Sequence, residues 1–379
     1  MSGLASRRLH QFCRVLCLWA AISALAIPTG DIAFSQTGTG SPPGAPSFTA
    51  IDLNPSGFSE SWASGISGEE QVGEGSGPST GGQTHALLWR GSAESVVDLH
   101  PSGFDESHAL GTSGREQVGN GSGPTTEGRT HALLWRGSAQ SVVDLHPDGF
   151  WYSDASGISG RQEVGVGYGD RELEALLWLG SAESLVKLHP YGYNGSQALG
   201  TSGDEQVGTG DDRHALLWRG NPGSVVDLHP IEFDESHALG TSDGEQVGYG
   251  SGPGTKGHAH ALLWHGTAES VLDLHPEGFD ESRALGTSRG EQVGFGSGPG
   301  AGGQTHALLW YGTAASVVDL NAFLPPGFVG SIASGIDATG NIVGVAWGPA
   351  SENRNHAFLW RLSVPKSGYD LGPTPHAVF

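Results

Sequence analysis

The sequence contains two cysteines, Cys13 and Cys17, and none after them. From residue 18 onward the chain folds without disulfides, Cys-ligated metal or a thiol nucleophile. Cations are also scarce: 18 Lys and Arg stand against 40 Asp and Glu, for a formal charge of −22. So acidic a surface repels phosphate backbones, which removes nucleic acid from the expected partners. There is no EF-hand loop and no zinc motif, and no segment after the first 35 residues holds a helical hydrophobic period for long. Only 15% of residues are charged and Gly numbers 63, a composition that taken alone points towards disorder. Eleven Trp and regular Val and Leu runs argue instead for a packed core.

The first 35 residues differ from the rest. Arg7, Arg8 and Arg14 form a basic region, Val15 to Ile27 an apolar one, and Ala33-Phe34-Ser35 a small-x-small cleavage site. This order reads as a cleavable export signal. Its apolar run is shorter than the roughly 20 residues a spanning helix needs, although a membrane anchor or interfacial helix is the competing reading. Cys17 lies near the start of the apolar run rather than at its end, which argues against a lipid anchor. Removal of this segment takes away three Arg and one Asp, so −22 becomes −24. The expected organisation is a signal over 1–35, a linker over 36–47 and one domain over 48–379. The mature protein is expected to be secreted or periplasmic, monomeric and without a stable membrane anchor.

That domain repeats itself. HALLW or a close relative places Trp89, Trp135, Trp178, Trp218, Trp264, Trp310 and Trp360 at spacings of 46, 43, 40, 46, 46 and 50 residues. Within a unit, four short β-rich segments alternate with turn residues; in the second these are 107–113, 116–121, 131–137 and 141–147. Four strands every 40–50 residues predict an all-β, seven-bladed β-propeller, with an open β-solenoid as the competing architecture. Along HALLW, His85, Leu87 and Trp89 point one way and Ala86 and Leu88 the other, as a strand buried on both faces requires. Each buried Leu or Trp stabilises by roughly 2 kcal/mol, a gain that a single blade with both faces wet forgoes. Two segments compete to complete the last blade: Phe48 to Leu53, and Tyr369-Asp370-Leu371.

Residues 335–360, GIDATGNIVGVAWGPASENRNHAFLW, resemble the HAF repeat of exported bacterial proteins, through His356-Ala357-Phe358 and the Gly335-Ile336-Asp337 and Gly340 to Gly344 pattern. The other six units carry Leu in place of Phe and a shorter turn, so they are similar at lower specificity. The resemblance implies an exported repeat protein and brings no catalytic residues.

Recurring chemistry invites functional readings that the repeat itself weakens. One His per blade at 85, 131, 214, 260, 306 and 356, with a second set at 100, 146, 189, 229 and 275, spreads ligands round a ring instead of converging them, so no metal or other cofactor is expected. Gly240-Thr241-Ser242-Asp243-Gly244 matches G-x-S-x-G but lies between two strands, with no following helix to make a nucleophile elbow. No catalytic residue is assigned.

The positions at which the copies differ carry more information. The loop between second and third strands has 11 residues in most units, eight in unit 3 (166–173) and five in unit 4 (209–213). The incoming connections of these two units bring Trp151, Tyr152, Tyr191 and Tyr193, with Tyr168, Asp154 and Asn194 nearby. Aromatic rings beside short polar groups suit stacking on sugars or gripping a protein patch; filling the space left by shorter loops is the structural alternative. A second variable position on the first strand holds Trp62, His108, Asp154, Gln197, His237, Arg283 and Ile332. If that strand is innermost, these residues ring the mouth of a central channel, a usual ligand site, or else form a solvated rim. The leading expectation is a scaffold that binds a glycan or protein through the loop face of units 3 and 4. The alternatives are a polysaccharide-acting enzyme using Asp154, His108 and His237, and a purely structural surface protein.

Overall fold

A computed structural model describes residues 46–169 and 172–363. The proposed signal segment and Tyr369 to Leu371 lie outside them. The described chain forms seven four-stranded antiparallel sheets arranged in a ring, a seven-bladed β-propeller. Blade 1 comprises Glu60–Ser67, Glu70–Ser76, His85–Trp89 and Val97–Asp98, and the next five blades repeat this order. Blade 7 takes three strands from the C-terminal side, Gly330–Ile336, Ile342–Trp347 and His356–Leu362. Its fourth is the N-terminal strand Phe48–Asp52, paired with His356–Leu362 from Phe48 opposite Leu362 to Asp52 opposite Phe358. Of the two candidates for closure, the N-terminal one therefore completes the ring.

The first strand of each blade touches the first strands of both neighbours, so these seven strands line the axis. They approach closely at Gly65 and its equivalents, where a Cβ on Gly65 would press on the backbone of Leu110 and Gly111. Glycine at this position is what lets the strands converge. Further out, the third strand packs on both faces. Ala86 and Leu88 join Ala109, Leu133 and Trp135 of the next blade, while Leu87 and Trp89 join Val343, Ala357 and Leu359 of the previous one. All seven repeat Trp are fully buried.

A polar clasp reinforces each interface between blades. Asp98 Oδ2 accepts from His85 Nδ1 at 2.7 Å, and Asp98 Oδ1 from the His100 amide at 2.8 Å. The two imidazoles stack with centroids 3.8 Å apart. His100 Nε2 donates to the Phe104 carbonyl, while His100 Nδ1 accepts from Ser107 Oγ, which itself accepts from the Ala86 amide. Ser107 belongs to the next blade, so one neutral imidazole tautomer joins two sheets. The stacked pair recurs at His131 and His146, His214 and His229, and His260 and His275. Of the other three positions, His189 meets Ser196 Oγ at 2.8 Å without a stacked partner, and at two Asn does the same work. Asn54 Oδ1 accepts from Ser61 Oγ and Asn54 Nδ2 donates to the Phe58 carbonyl, while His356 bonds Asp52 of the N-terminal strand. Asn321 likewise takes the hydroxyl proton of Ser331. The recurring histidines are thus structural.

Burial lowers the pKa of His100, His146, His229 and His275, and the stacked His beside each lowers it further. A folded-state pKa below the unfolded value gives stability that is present above about 6.5 and lost as pH falls below it. The melting temperature should therefore drop between pH 7.5 and 5. Replacing these four His by Asn, the residue the chain itself uses at positions 54 and 321, should flatten that drop at a cost under about 1 kcal/mol per site at pH 7.5. Thermal melts across this pH range check it; an equally steep acid decline in the variant would show that the clasp does not control it.

Candidate functional site

The loop face carries the connections between second and third strands and the connections into each blade. In blades 1, 2, 5, 6 and 7 the former contain a one-turn 3-10 helix, Pro78–Thr80, Pro124–Thr126, Pro253–Thr255, Pro299–Ala301 and Pro349–Ser351. In four of these the turn bonds the incoming connection of its own blade, as Ser79 N does to the Gly57 carbonyl at 3.0 Å and Thr125 N to Gly103 at 3.1 Å. A Cβ on Gly57, Gly103 or Gly327 would strike the turn above it, while one on Gly149 or Gly192 would meet nothing. Among the described residues the shortened loops of blades 3 and 4 contain no such turn, and nothing stands over Gly149 or Gly192.

The aromatic residues of these connections divide into two groups. Trp151 is 61% exposed, its ring packed on one side by the Arg129 guanidinium at 4.5 Å. Tyr191 is fully exposed. Tyr193, by contrast, takes the place of the Phe found in the other blades: its ring packs over Gly210 beside Leu216, and its hydroxyl reaches Asp227 Oδ2 at 3.2 Å. Burial and the Asp227 charge push this phenol up to about 12. Tyr193 therefore belongs to the scaffold, as the space-filling alternative has it. Tyr152 lies opposite Tyr168 in the sheet and donates to Asp154 Oδ2 at 3.2 Å. Asn194 is tied to Asp211 through its amide. Beside Trp151 and Arg129 an open cleft of about 270 Å³ is lined by Thr125, Glu127, His131, His146 and Asp148 among others.

The variable first-strand positions do line the axis, but they are not a solvated rim. Trp62, Asp154, Gln197, His237 and Ile332 are buried, Asp154 to 1% exposure, and His108 and Arg283 are half-buried. Each meets second-strand residues that vary just as widely: Glu74, Asn120, Val166, Thr209, Tyr249, Phe295 and Val345. This second set was missed in the sequence, although the same comparison of copies contains it. The mouth has three sectors. In the first, burial would lower the His108 pKa, but the hydrogen bond and charge of Glu74 in the preceding blade raise it. Burial raises the Asp154 pKa in the same sector, while Asn120, Tyr152 and the His108 charge pull against it. In the second, His237 stacks on Tyr249 at 4.6 Å and Arg283 lies over the same ring at 4.3 Å. Burial pushes His237 down to about 4, so it is neutral. The third is apolar: Trp62, Ile332 and Val345, with Leu285, Phe295 and Trp347 against them. Among the described residues no three His, Asp or Glu side chains converge as metal ligands, and no helix is long and apolar enough to cross a membrane.

Blade 3 departs from the repeat in ways the structure explains. Glu174 and Lys187 replace a His and an Asp, and they pair with each other at 2.7 Å, reversing the polarity of that half of the clasp. Glu163 replaces a Gln that elsewhere both accepts and donates, as Gln71 accepts from the Gly91 amide and donates to the Glu69 carbonyl. Glu163 Oε2 accepts from the Gly180 amide, while Oε1 is buried without a partner. Burial pushes this carboxyl up to about 7.

No family model matches the chain, and no curated protein matches it. Among solved structures it is similar to the β-propeller domain of the Trilobed protease from Pyrococcus furiosus, at 10% identity and TM-score 0.52, over 83% of this chain and 99% of that one. That domain has an open velcro topology, whereas here the N-terminal strand closes blade 7. Puromycin hydrolase aligns at 12% identity and TM-score 0.52 over 80% of this chain and 56% of its own. The acylaminoacyl peptidase of Pyrococcus horikoshii aligns at 11% and 0.50 over 83% and 54%. The chain thus spans little more than half of these hydrolases, and the likeness establishes the propeller fold alone.

The Glu163 carboxyl gives a test with a defined sign. Its folded pKa lies above the unfolded value, so its penalty is absent below about 4.5, grows towards 7 and is complete above it. Glu163→Gln should stabilise the protein by about 1 to 2 kcal/mol at pH 8 and by little at pH 4.5. Denaturant unfolding at the two pH values measures this, and an equal effect at both would refute the assignment.

Proposed function

We propose that the chain is an exported propeller of HAF-repeat type that binds a glycan through the uncovered loop face of blades 3 and 4, its signal segment removed on export. The observation that carries this reading is Trp151. It is an indole 61% exposed, backed by the Arg129 guanidinium, beside an open cleft edged with hydroxyl, imidazole and carboxylate groups. A backed ring presents one rigid apolar face to the C–H face of a sugar, while the polar edge addresses its hydroxyls. Tyr191 adds a second exposed ring on the next blade. Asp154, which accepts from the Tyr152 hydroxyl, and His108, paired with Glu74, lie at the channel mouth rather than on this face.

One observation favours a protein ligand on the same face. Ile231, 92% exposed at the position in blade 5 that Tyr191 occupies in blade 4, extends the row with a side chain useless for sugar stacking. The two readings separate on a glycan array and an envelope-protein overlay with the mature protein. Trp151→Ala and Tyr191→Ala should each weaken glycan binding by roughly 1 to 2 kcal/mol, about five- to thirtyfold. Stability should change by less than about 0.5 kcal/mol, since both are surface positions. Glycan binding that survives both substitutions would sink the proposal; a silent array with a protein partner lost in the Ile231→Ser variant would favour the second reading.

A further inference from the structure

We propose that the mouth of the central channel is a separate binding site for a small organic monocarboxylic acid with an aromatic or branched aliphatic body. Arg283 would hold its carboxylate, and Phe295 and Trp347 would contact its body.

Of the described Lys and Arg residues, all but Arg129 and Arg283 are exposed, and Arg129, its side chain still 40% exposed, has Glu127 as a partner. Among the described residues Arg283 forms no ion pair, although the chain has more than twice as many acidic as basic residues, and its Nε and Nη1 are buried with no hydrogen-bond partner there. A half-buried guanidinium with unmet donors is costly unless an anion completes it. The Tyr249 ring beneath it at 4.3 Å recovers only part of that cost. His237, stacked on the same ring, is neutral and competes for no anion. The cation is thus held on an aromatic shelf with its countercharge missing.

Its surroundings set the rest of the ligand. Arg283 lies directly opposite Phe295 in the sheet, so the two side chains share one side. Phe295 packs against the cluster of Trp62, Ile332 and Val345, as does Trp347. Phe295 and Trp347 are half-buried while the residues behind them are buried, so these two rings supply the accessible apolar surface. Two acidic groups act on this sector: Glu235, which bears on His237 and Tyr249, and Asp212, which bears on Tyr249. Both carboxylates have other hydrogen-bond partners, Ser251 and Gln197. Their charge disfavours di- and trianions such as phosphate or citrate. What fits is one carboxylate beside an apolar group.

Isothermal titration of the mature protein with 3-phenylpropionate, 4-methylpentanoate, 3-phenylpropionamide and inorganic phosphate tests this. The two acids should bind, the amide at least tenfold more weakly than its acid, and phosphate not detectably. Arg283→Gln should weaken the acids at least tenfold. Should that variant fold poorly, Trp347→Ala provides the second arm, lowering affinity for 3-phenylpropionate several-fold. Equal binding of acid and amide, undiminished binding to a folded Arg283→Gln protein, or no binding of either acid would overturn the proposal. Trp151→Ala should leave acid affinity unchanged, so this result stands or falls independently of the glycan reading.

Discussion

The fold depends on one clasp, made seven times: an imidazole or amide bonded to a hydroxyl that belongs to the next blade, backed by an Asp carboxylate at six of the seven. Hydrophobic burial between sheets supplies most of the stabilisation, but it is non-directional and would tolerate sliding. The clasp fixes register. Ser107 can accept from the Ala86 amide and donate to His100 in only one alignment of blades 1 and 2, and Ser61 imposes the same alignment on blades 7 and 1 through Ala357 and Asn54. Closure therefore uses the same chemistry as every other interface. A ring closed in this way leaves no blade with an exposed face.

Because the interfaces are set by the third and fourth strands and by the Ser of the first, the rest of each unit is free to vary. Variation is concentrated in two places. One is the loop face, where blades 3 and 4 combine shortened loops with rings, Trp151 and Tyr191, at positions that are exposed round the ring. The other is the axis, where seven non-equivalent side chains and their sheet partners divide the mouth into acidic, cationic-aromatic and apolar sectors. A symmetric scaffold thereby presents two asymmetric surfaces. The proposed ligands differ accordingly: an extended sugar on the face, a small acid at the axis.

Much of the scaffold was legible in the sequence. The HALLW alternation predicted that Leu87 and Leu88 face opposite sides, the Trp spacing counted the blades, and Phe48 to Leu53 was one of two candidates for closure. These are local patterns, set by strand geometry. What was illegible depends on contacts between residues far apart in the chain. Tyr193 looks like a surface ring until the shared Gly-aromatic position is seen to pack inward. The Glu174 and Lys187 replacements look like two departures from the repeat, yet they are one compensated exchange. The mouth residues vary as surface residues do, yet five of the seven are buried and two half-buried, each paired with an equally variable residue on a second strand. Where copies differ in pairs, inspecting one position at a time misreads both.

The central claim is that the exposed rings of blades 3 and 4, set beside shortened loops on a constant scaffold, form the binding face. The most direct measurement grafts the 11-residue loop of blade 2 (120–130) into blade 3 in place of 166–173, then compares glycan-array binding and melting temperature with the parent. The account predicts an unchanged or higher melting temperature and loss of glycan binding, as the restored turn covers the connection beside Trp151. A folded graft that binds the same glycans as tightly as the parent would contradict it.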